Sequence, residues 1–194
     1  MRTILISAAA LTLGLSACGS PDTDDTSADQ TAIDPVMTAE PMRAVAMLMT
    51  ADGQEAGTAT ATQEGDSVAI SFEGRNLPAG THGVHVHMVG SCEPDFSAAG
   101  GHWNPTEQTH GLEDPEGQHA GDMPNLEVDE DGSGSIQYTL EGGATFDGLM
   151  DADGSAFIVH AGEDDQVTDP SGDSGDRIAC GVFETQNAGS TATM

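Results

Sequence analysis

From residue 43 onward the apolar side chains fall in short runs, each too brief to make a helix. The runs occupy 43–50, 56–62, 67–73, 82–88, 126–129, 134–140, 155–160 and 179–184. Between most of them stand turn formers such as Ala51-Asp52-Gly53, Gly65-Asp66, Asp131-Gly132 and Asp153-Gly154, residues that tolerate the backbone angles of tight turns. No ten-residue stripe at helical spacing interrupts the pattern. Eight strand-length runs at hairpin-like spacing predict an all-β domain, an eight-stranded antiparallel Greek-key sandwich or flattened barrel. Few aromatics (4%) and 25 glycines suit short strands better than a helical bundle.

Two connections, 89–125 and 161–177, break the regularity. Loops of this length are uncommon in a compact domain unless they work or are disordered. Both are read as functional.

The chain ahead of the domain reads as an address. Arg2 supplies a minimal positive start, and the apolar run from Ile4 to Leu15 is too short to span a bilayer permanently. It ends in Leu15-Ser16-Ala17-Cys18, which resembles the lipobox of bacterial lipoproteins. Residues 1–17 are therefore expected to be a cleaved signal peptide and Cys18 to carry lipid; an ordinary secretory signal with an incidental cysteine is the other reading. Residues 18–41 are small, acidic and proline-punctuated, and are expected to be a disordered tether. The folded domain is placed at 42–184 and a flexible tail at 185–194. The expected location is the cell envelope, on the periplasmic side of the outer membrane or at the surface, with membrane contact through the lipid alone. Gly19 is not the aspartate that typically retains lipoproteins at the inner membrane.

Charge excludes some partners. There is no lysine, and Arg2, Arg43, Arg75 and Arg177 face 33 acidic residues. Such a surface repels nucleic acid and anionic lipid. With Cys18 assigned to lipid, Cys92 and Cys180 remain; in an exported protein they are expected to form a disulfide, two buried thiols being the alternative.

The seven histidines are His82, His85, His87, His102, His110, His119 and His160. In Gly83-Val84-His85-Val86-His87, strand alternation sends His85 and His87 to one face, about 7 Å apart along the chain, where both can reach one metal ion. His102, His110, His119 and Asp122 offer three imidazoles and a carboxylate, a donor set suited to tetrahedral zinc. His160 adds another imidazole at the end of the apolar run Phe157-Ile158-Val159. Any one of these histidines alone is more simply a hydrogen-bonded loop residue. Together they read as a metal constellation.

The ordered set GVHVH, GGHWNP, HG, HAGDMPN, VHAGEDD and GDRIACGV resembles the copper,zinc superoxide dismutases across essentially all of 43–184. The resemblance implies copper on His85, His87, His102 and His160, and zinc on His102, His110, His119 and Asp122, one of each metal per chain. His102 would bridge the two as an imidazolate and take part in catalysis. Asp164 matches a carboxylate linking the two histidine sets, and His82 a supporting position beside the copper strand. Arg177 matches the guanidinium that positions the substrate, superoxide, which such enzymes disproportionate to dioxygen and hydrogen peroxide in antioxidant defence. A homodimer is possible. A non-catalytic copper- and zinc-binding module of the same fold is the alternative, although such modules usually lose a copper ligand or the arginine, and this chain keeps all of them.

One departure from the family stands out. Many relatives set lysines near the channel, whereas here the second loop carries Glu163, Asp164, Asp165, Asp169, Asp173 and Asp176. Attraction of an anion is then left to the metals and Arg177. A concentrated-salt habitat would screen the surrounding carboxylates; a demand for solubility at ordinary salt is the other explanation.

Overall fold

The computed structural model describes residues 40–186. The expected signal peptide, Cys18 and most of the expected tether and tail lie outside the described residues. The strands are β1 Arg43–Thr50, β2 Glu55–Glu64, β3 Ser67–Gly74, β4 Gly80–His82, β5 Val84–His87, β6 Leu126–Val128, β7 Gly134–Thr139, β8 Ala156–His160, β9 Arg177–Val182 and β10 Glu184–Thr185. All pairings between these strands are antiparallel. The main sheet runs β5-β8-β9-β1-β2-β3-β7, with β10 beside β1, and β4 pairs with β6 in a smaller sheet. The first strand thus lies between the second and the ninth, the return connection of a Greek key.

Alternation builds the core. Ala44, Ala46 and Leu48 of β1, Ala59 and Ala61 of β2, and Val68, Ile70 and Phe72 of β3 are buried together with Val84, Val86, Phe157 and Val159 from β5 and β8. The Phe72 and Phe157 rings, 5.0 Å apart between centroids, tie β3 to β8 across that core. The opposite faces of β5 and β8 are buried too, because the loop 89–125 covers them. Its 3₁₀ turn Phe96–Ala99 packs Phe96 and Ala99 on Ala156, Ile158 and Cys180. The expected disulfide is present: Cys92 is bonded to Cys180, with Cα atoms 5.9 Å apart. Imidazoles projecting from this face therefore enter a dry space between strands and loop.

The structure redraws two of the expected strands. The run 82–88 divides at Gly83, where a Cβ would lie 2.9 Å from Ser174 Cβ and 3.2 Å from Asp164 Cβ. Glycine lets the second long loop seat against the strand at that point. The last run divides at Phe183, which turns into the core, and β10 then returns to β1. Gln186 N–H donates to Arg43 O at 2.8 Å, so the sheet extends just past 184. Residues 141–154, without an expected element, contain a one-turn α-helix, Phe146–Leu149, capped by Thr145 Oγ1 accepting from Gly148 N–H.

Candidate metal centre

Strand β5 supplies His85 and His87, and β8 ends in His160. The loop residues are pinned to β5 by backbone hydrogen bonds. Trp103 N–H donates to Val86 O, Val86 N–H to Gly121 O and Gly121 N–H to Trp103 O, each at 2.9 Å. That ladder fixes His102 beside His87, with which it forms a bridge pair, and carries His119 and Asp122 on the next turn. Sequence positions far apart thereby become one buried cluster, with His102 at its centre. Its ring centroid lies 3.9 Å from that of His85, 5.0 Å from His87, 5.1 Å from His110 and 5.5 Å from His119.

Two donor groups share His102. His85, His87, His102 and His160 place one ring nitrogen each within 4.8 Å of one another, as do His102, His110, His119 and Asp122 with one donor atom each. In the first group His85 Nδ1 and the Nε2 atoms of His87, His102 and His160 are buried without any hydrogen-bond partner. An orphaned buried nitrogen is costly, and four aimed at one point fit a metal ion. In the second group Asp122 Oδ1 faces Nδ1 of His102 at 2.8 Å, of His110 at 3.0 Å and of His119 at 3.3 Å. The last lacks hydrogen-bond geometry, so His119 Nδ1 is also unpaired. Three ring nitrogens crowd one carboxylate oxygen, the tetrahedral N₃O set of zinc sites.

The remaining ring nitrogens are held from behind, which fixes ring orientation. His87 Nδ1–H donates to Gly100 O (2.9 Å) and His160 Nδ1–H to Gly175 O (3.1 Å). Asp164 spans the two groups: Oδ2 is 2.5 Å from His85 Nε2 and Oδ1 3.1 Å from His110 Nε2. Asp122 Oδ2 accepts from the N–H groups of Gly111 and His119, both at 2.9 Å, which turns its other oxygen toward the histidines. His82 stands outside both groups, its ring nitrogens 2.8 Å from His160 O and Pro78 O.

Protonation follows from burial and neighbours. Burial, followed by the adjacent His102, pushes His85 down to about 3. Burial is also the chief cause of the fall of His160 to about 4 and of the deep depression of His87. These imidazoles stay neutral with lone pairs free. Burial would likewise lower His110, but Asp122 and Asp164 outweigh it and raise it to about 9. Burial would raise Asp122 and Asp164, yet their histidine partners hold both carboxyls well below the usual carboxylate range.

Arg177 faces the same space. Opposite residues in β8 and β9 pair as Ile158–Cys180 and Val159–Ala179, then His160–Arg177, with Ile178 bulged out of register. Strict alternation would put Arg177 and Cys180 on opposite faces; the bulge turns Arg177 to the histidine side. Its guanidinium donates to Phe96 O at 2.6 Å and to Gly100 O at 2.5 Å. With His87, His102, His160 and Asp169 it lines an open cavity of about 460 Å³.

Sequence reasoning does not single out Asn125. Its Oδ1 accepts from Asp164 N–H (2.9 Å) and its Nδ2 donates to Asp164 O (2.8 Å), so it clamps the backbone of the residue whose carboxylate links the groups. An asparagine three residues beyond Asp122 is the only signal in the sequence, and it is a weak one.

Comparison with known proteins agrees with this geometry. Residues 55–183 match the family model described as copper/zinc superoxide dismutase. The chain is 40% identical over 153 residues to superoxide dismutase [Cu-Zn] 1 of Aquifex aeolicus, covering 75% of this chain and 90% of that protein. It is 38% identical over 148 residues to superoxide dismutase [Cu-Zn] of Caulobacter vibrioides, covering 73% and 85%. The crystal structure of a superoxide dismutase-like protein from Bacillus subtilis superposes with a TM-score of 0.64 at 38% identity, over 71% of this chain and 96% of that one. Copper and zinc are the metals of this family, and the two histidine groups are able to hold them. The chain belongs to the copper/zinc superoxide dismutases and is an enzyme of that family.

Proposed function

We propose that His85, His87, His102 and His160 hold copper, that His102, His110, His119 and Asp122 hold zinc, and that the His102 ring is shared between them. The observation that carries this reading is one imidazole, His102, with four buried ring nitrogens left without partners on its Nε2 side and three ring nitrogens crowding the Asp122 carboxylate on its Nδ1 side. Copper, when bound, supplies a centre that alternates between two oxidation states, taking an electron from one superoxide and giving it to the next.

The chain's own residues do the rest. Arg177, fixed by two carbonyl oxygens, presents its remaining N–H donors to an anion entering the cavity, a task suited to a planar fork of constant charge. His102 Nε2 would hold one proton between the two half-reactions and give it up as hydrogen peroxide forms, the second proton coming from water in the open cavity. Asp122 keeps the other nitrogen of that ring in place, so the ring returns to the same position. Asp164 couples His85 to His110 and keeps the two donor groups in register. Loop 89–125 excludes bulk water from the ligand side, and access is left to the cavity beside Arg177.

The enzyme is further proposed to act outside the cytoplasm in antioxidant defence, lipid-anchored through Cys18. The test of catalysis is rapid-mixing decay of superoxide by metal-loaded protein beside His160→Ala. Fast decay in the first and its loss in the second are expected; equal rates would refute the assignment. Location is tested by fractionation of cells labelled with a fatty acid. Label in the envelope fraction that vanishes in Cys18→Ser supports it, and unlabelled protein in the cytoplasm refutes it.

A further inference from the structure

Among the described residues the exposed large apolar side chains are Met42, Met47, Met49, Met88 and Val167. Four of the five are thioethers, on a protein whose surface is otherwise dominated by carboxylates. Met47 and Met49 are the two that share a strand face. They stand at i and i+2 on the outward side of β1, 64% and 39% exposed, with Leu48 between them turned into the core. Their Cα atoms are about 7 Å apart by strand geometry, a span that two flexible thioether arms can close on a single ion.

Both line a groove of about 940 Å³ that runs over the Cys92–Cys180 disulfide to Arg177. Met49 lies directly opposite Cys180 in the strand register. Arg177 and Gly175 line both this groove and the cavity above the histidines, so the two spaces meet at one wall. The groove also carries the carboxylates Glu93, Asp95 and Asp176 against the one guanidinium. Its field therefore favours a cation over an anion. The guanidinium is drawn to Phe96 O and Gly100 O at the far end. Neutral sulfur donors with nearby negative charge select a soft, singly charged ion; hard cations and zinc prefer the oxygen and imidazole donors available elsewhere.

We propose that Met47 and Met49 form a surface site for a soft monovalent cation, Cu(I), separate from the buried histidine groups and adjoining the cavity that opens on them. The site stands on the thioethers alone. Its role as the place where incoming copper is first held rests on the copper reading above.

The test uses protein loaded with copper and zinc, so that the buried groups are filled, and Ag(I) in chloride-free buffer as a soft probe that does not exchange electrons with the copper. Retained silver and the methionine methyl resonances are followed for the wild type and for Met47→Leu/Met49→Leu. Leucine at these exposed positions keeps the apolar volume, and unchanged circular dichroism and copper content in the variant establish that its fold and buried groups are intact. The wild type is expected to retain one silver per chain with shifts confined to the Met47 and Met49 methyls, and the double variant to lose both signals. Equal silver retention by the two proteins, or binding that leaves those methyls unmoved, would overturn the site. Failure of the copper reading would show instead as a wild type that never takes up copper, and the difference in silver between the two proteins does not depend on that.

Discussion

At the residue scale the centre is organised by two carboxylates: Asp122 gathers His102, His110 and His119, and Asp164 joins His85 to His110 across the two groups. Asp164 is the more exposed to test because it touches neither donor point directly. Replacing it with asparagine keeps its volume but leaves it unable to accept from both His85 and His110 as an anion. A loss of about 10- to 100-fold in metal affinity is expected, the usual effect of removing a partner behind a ligand. Competition against a zinc- or copper-binding dye measures it, and unchanged affinity would remove Asp164 from the account. Protonation supplies a second prediction for the metal-free protein. The depressed His85 and His160 bind protons less readily folded than unfolded, so their contribution is present above about 6.5 and is lost as pH falls toward 4 and 3. The raised His110 contributes below about 6.5 and loses that contribution as pH climbs through 9. Thermal unfolding of metal-free protein should therefore be most resistant near neutrality and weaken on both sides. Zinc, which requires His110 neutral, should abolish the alkaline decline; a metal-free midpoint still rising between pH 7 and 9 would contradict the assignment. The ligands themselves were legible because imidazoles are few and their spacing is distinctive. Gly100 O and Gly175 O were not, since a backbone acceptor has no signature in sequence, and Asn125 reads as one more loop amide.

At the element scale the strands were legible from alternation, with errors where a tertiary contact overrode it. Gly83 ends one strand because a loop presses on it, and Phe183 leaves another to fill the core. The bulge at Ile178 was invisible too, although it decides which face Arg177 occupies. The disulfide loop holds that arginine through Phe96 O and Gly100 O, so covalent and functional roles coincide. Reduction of Cys92–Cys180 is expected to lower stability by about 4–5 kcal/mol on the chain-entropy model, readable as a fall in denaturant midpoint. It should also loosen Arg177. Arg177→Lys cannot span both carbonyls and still face the cavity, and should slow superoxide decay about 10- to 100-fold, equivalent to a charged hydrogen bond of about 1.5–3 kcal/mol, with metal content intact. Full activity in the lysine variant would contradict the role given to the fork. Gly172 offers a sharper probe of the second loop: its φ is +61° and a Cβ there would fall 1.9 Å from Asp164 Oδ1. Alanine at this position should reproduce the metal-affinity defect of the Asp164 variant.

At the scale of the whole molecule, acidity and substrate charge oppose one another. The chain carries 33 acidic residues, and Asp169 stands in the wall of the cavity that superoxide would enter. Screening shortens the reach of such charges from about 10 Å at 0.1 M salt to about 3 Å at 1 M. The rate constant for superoxide decay is therefore expected to hold or rise as salt increases over that range. A steep fall would mean that the field draws the anion in despite the carboxylates. The central claim is more direct still: one imidazole stands between two different metals. Anomalous scattering from crystals of metal-loaded protein, collected at the copper and zinc absorption edges, locates each ion separately. The account predicts copper among His85, His87, His102 and His160, zinc among His102, His110, His119 and Asp122, and His102 in contact with both. Zinc alone, or a His102 ring touching only one ion in the oxidised protein, would contradict it.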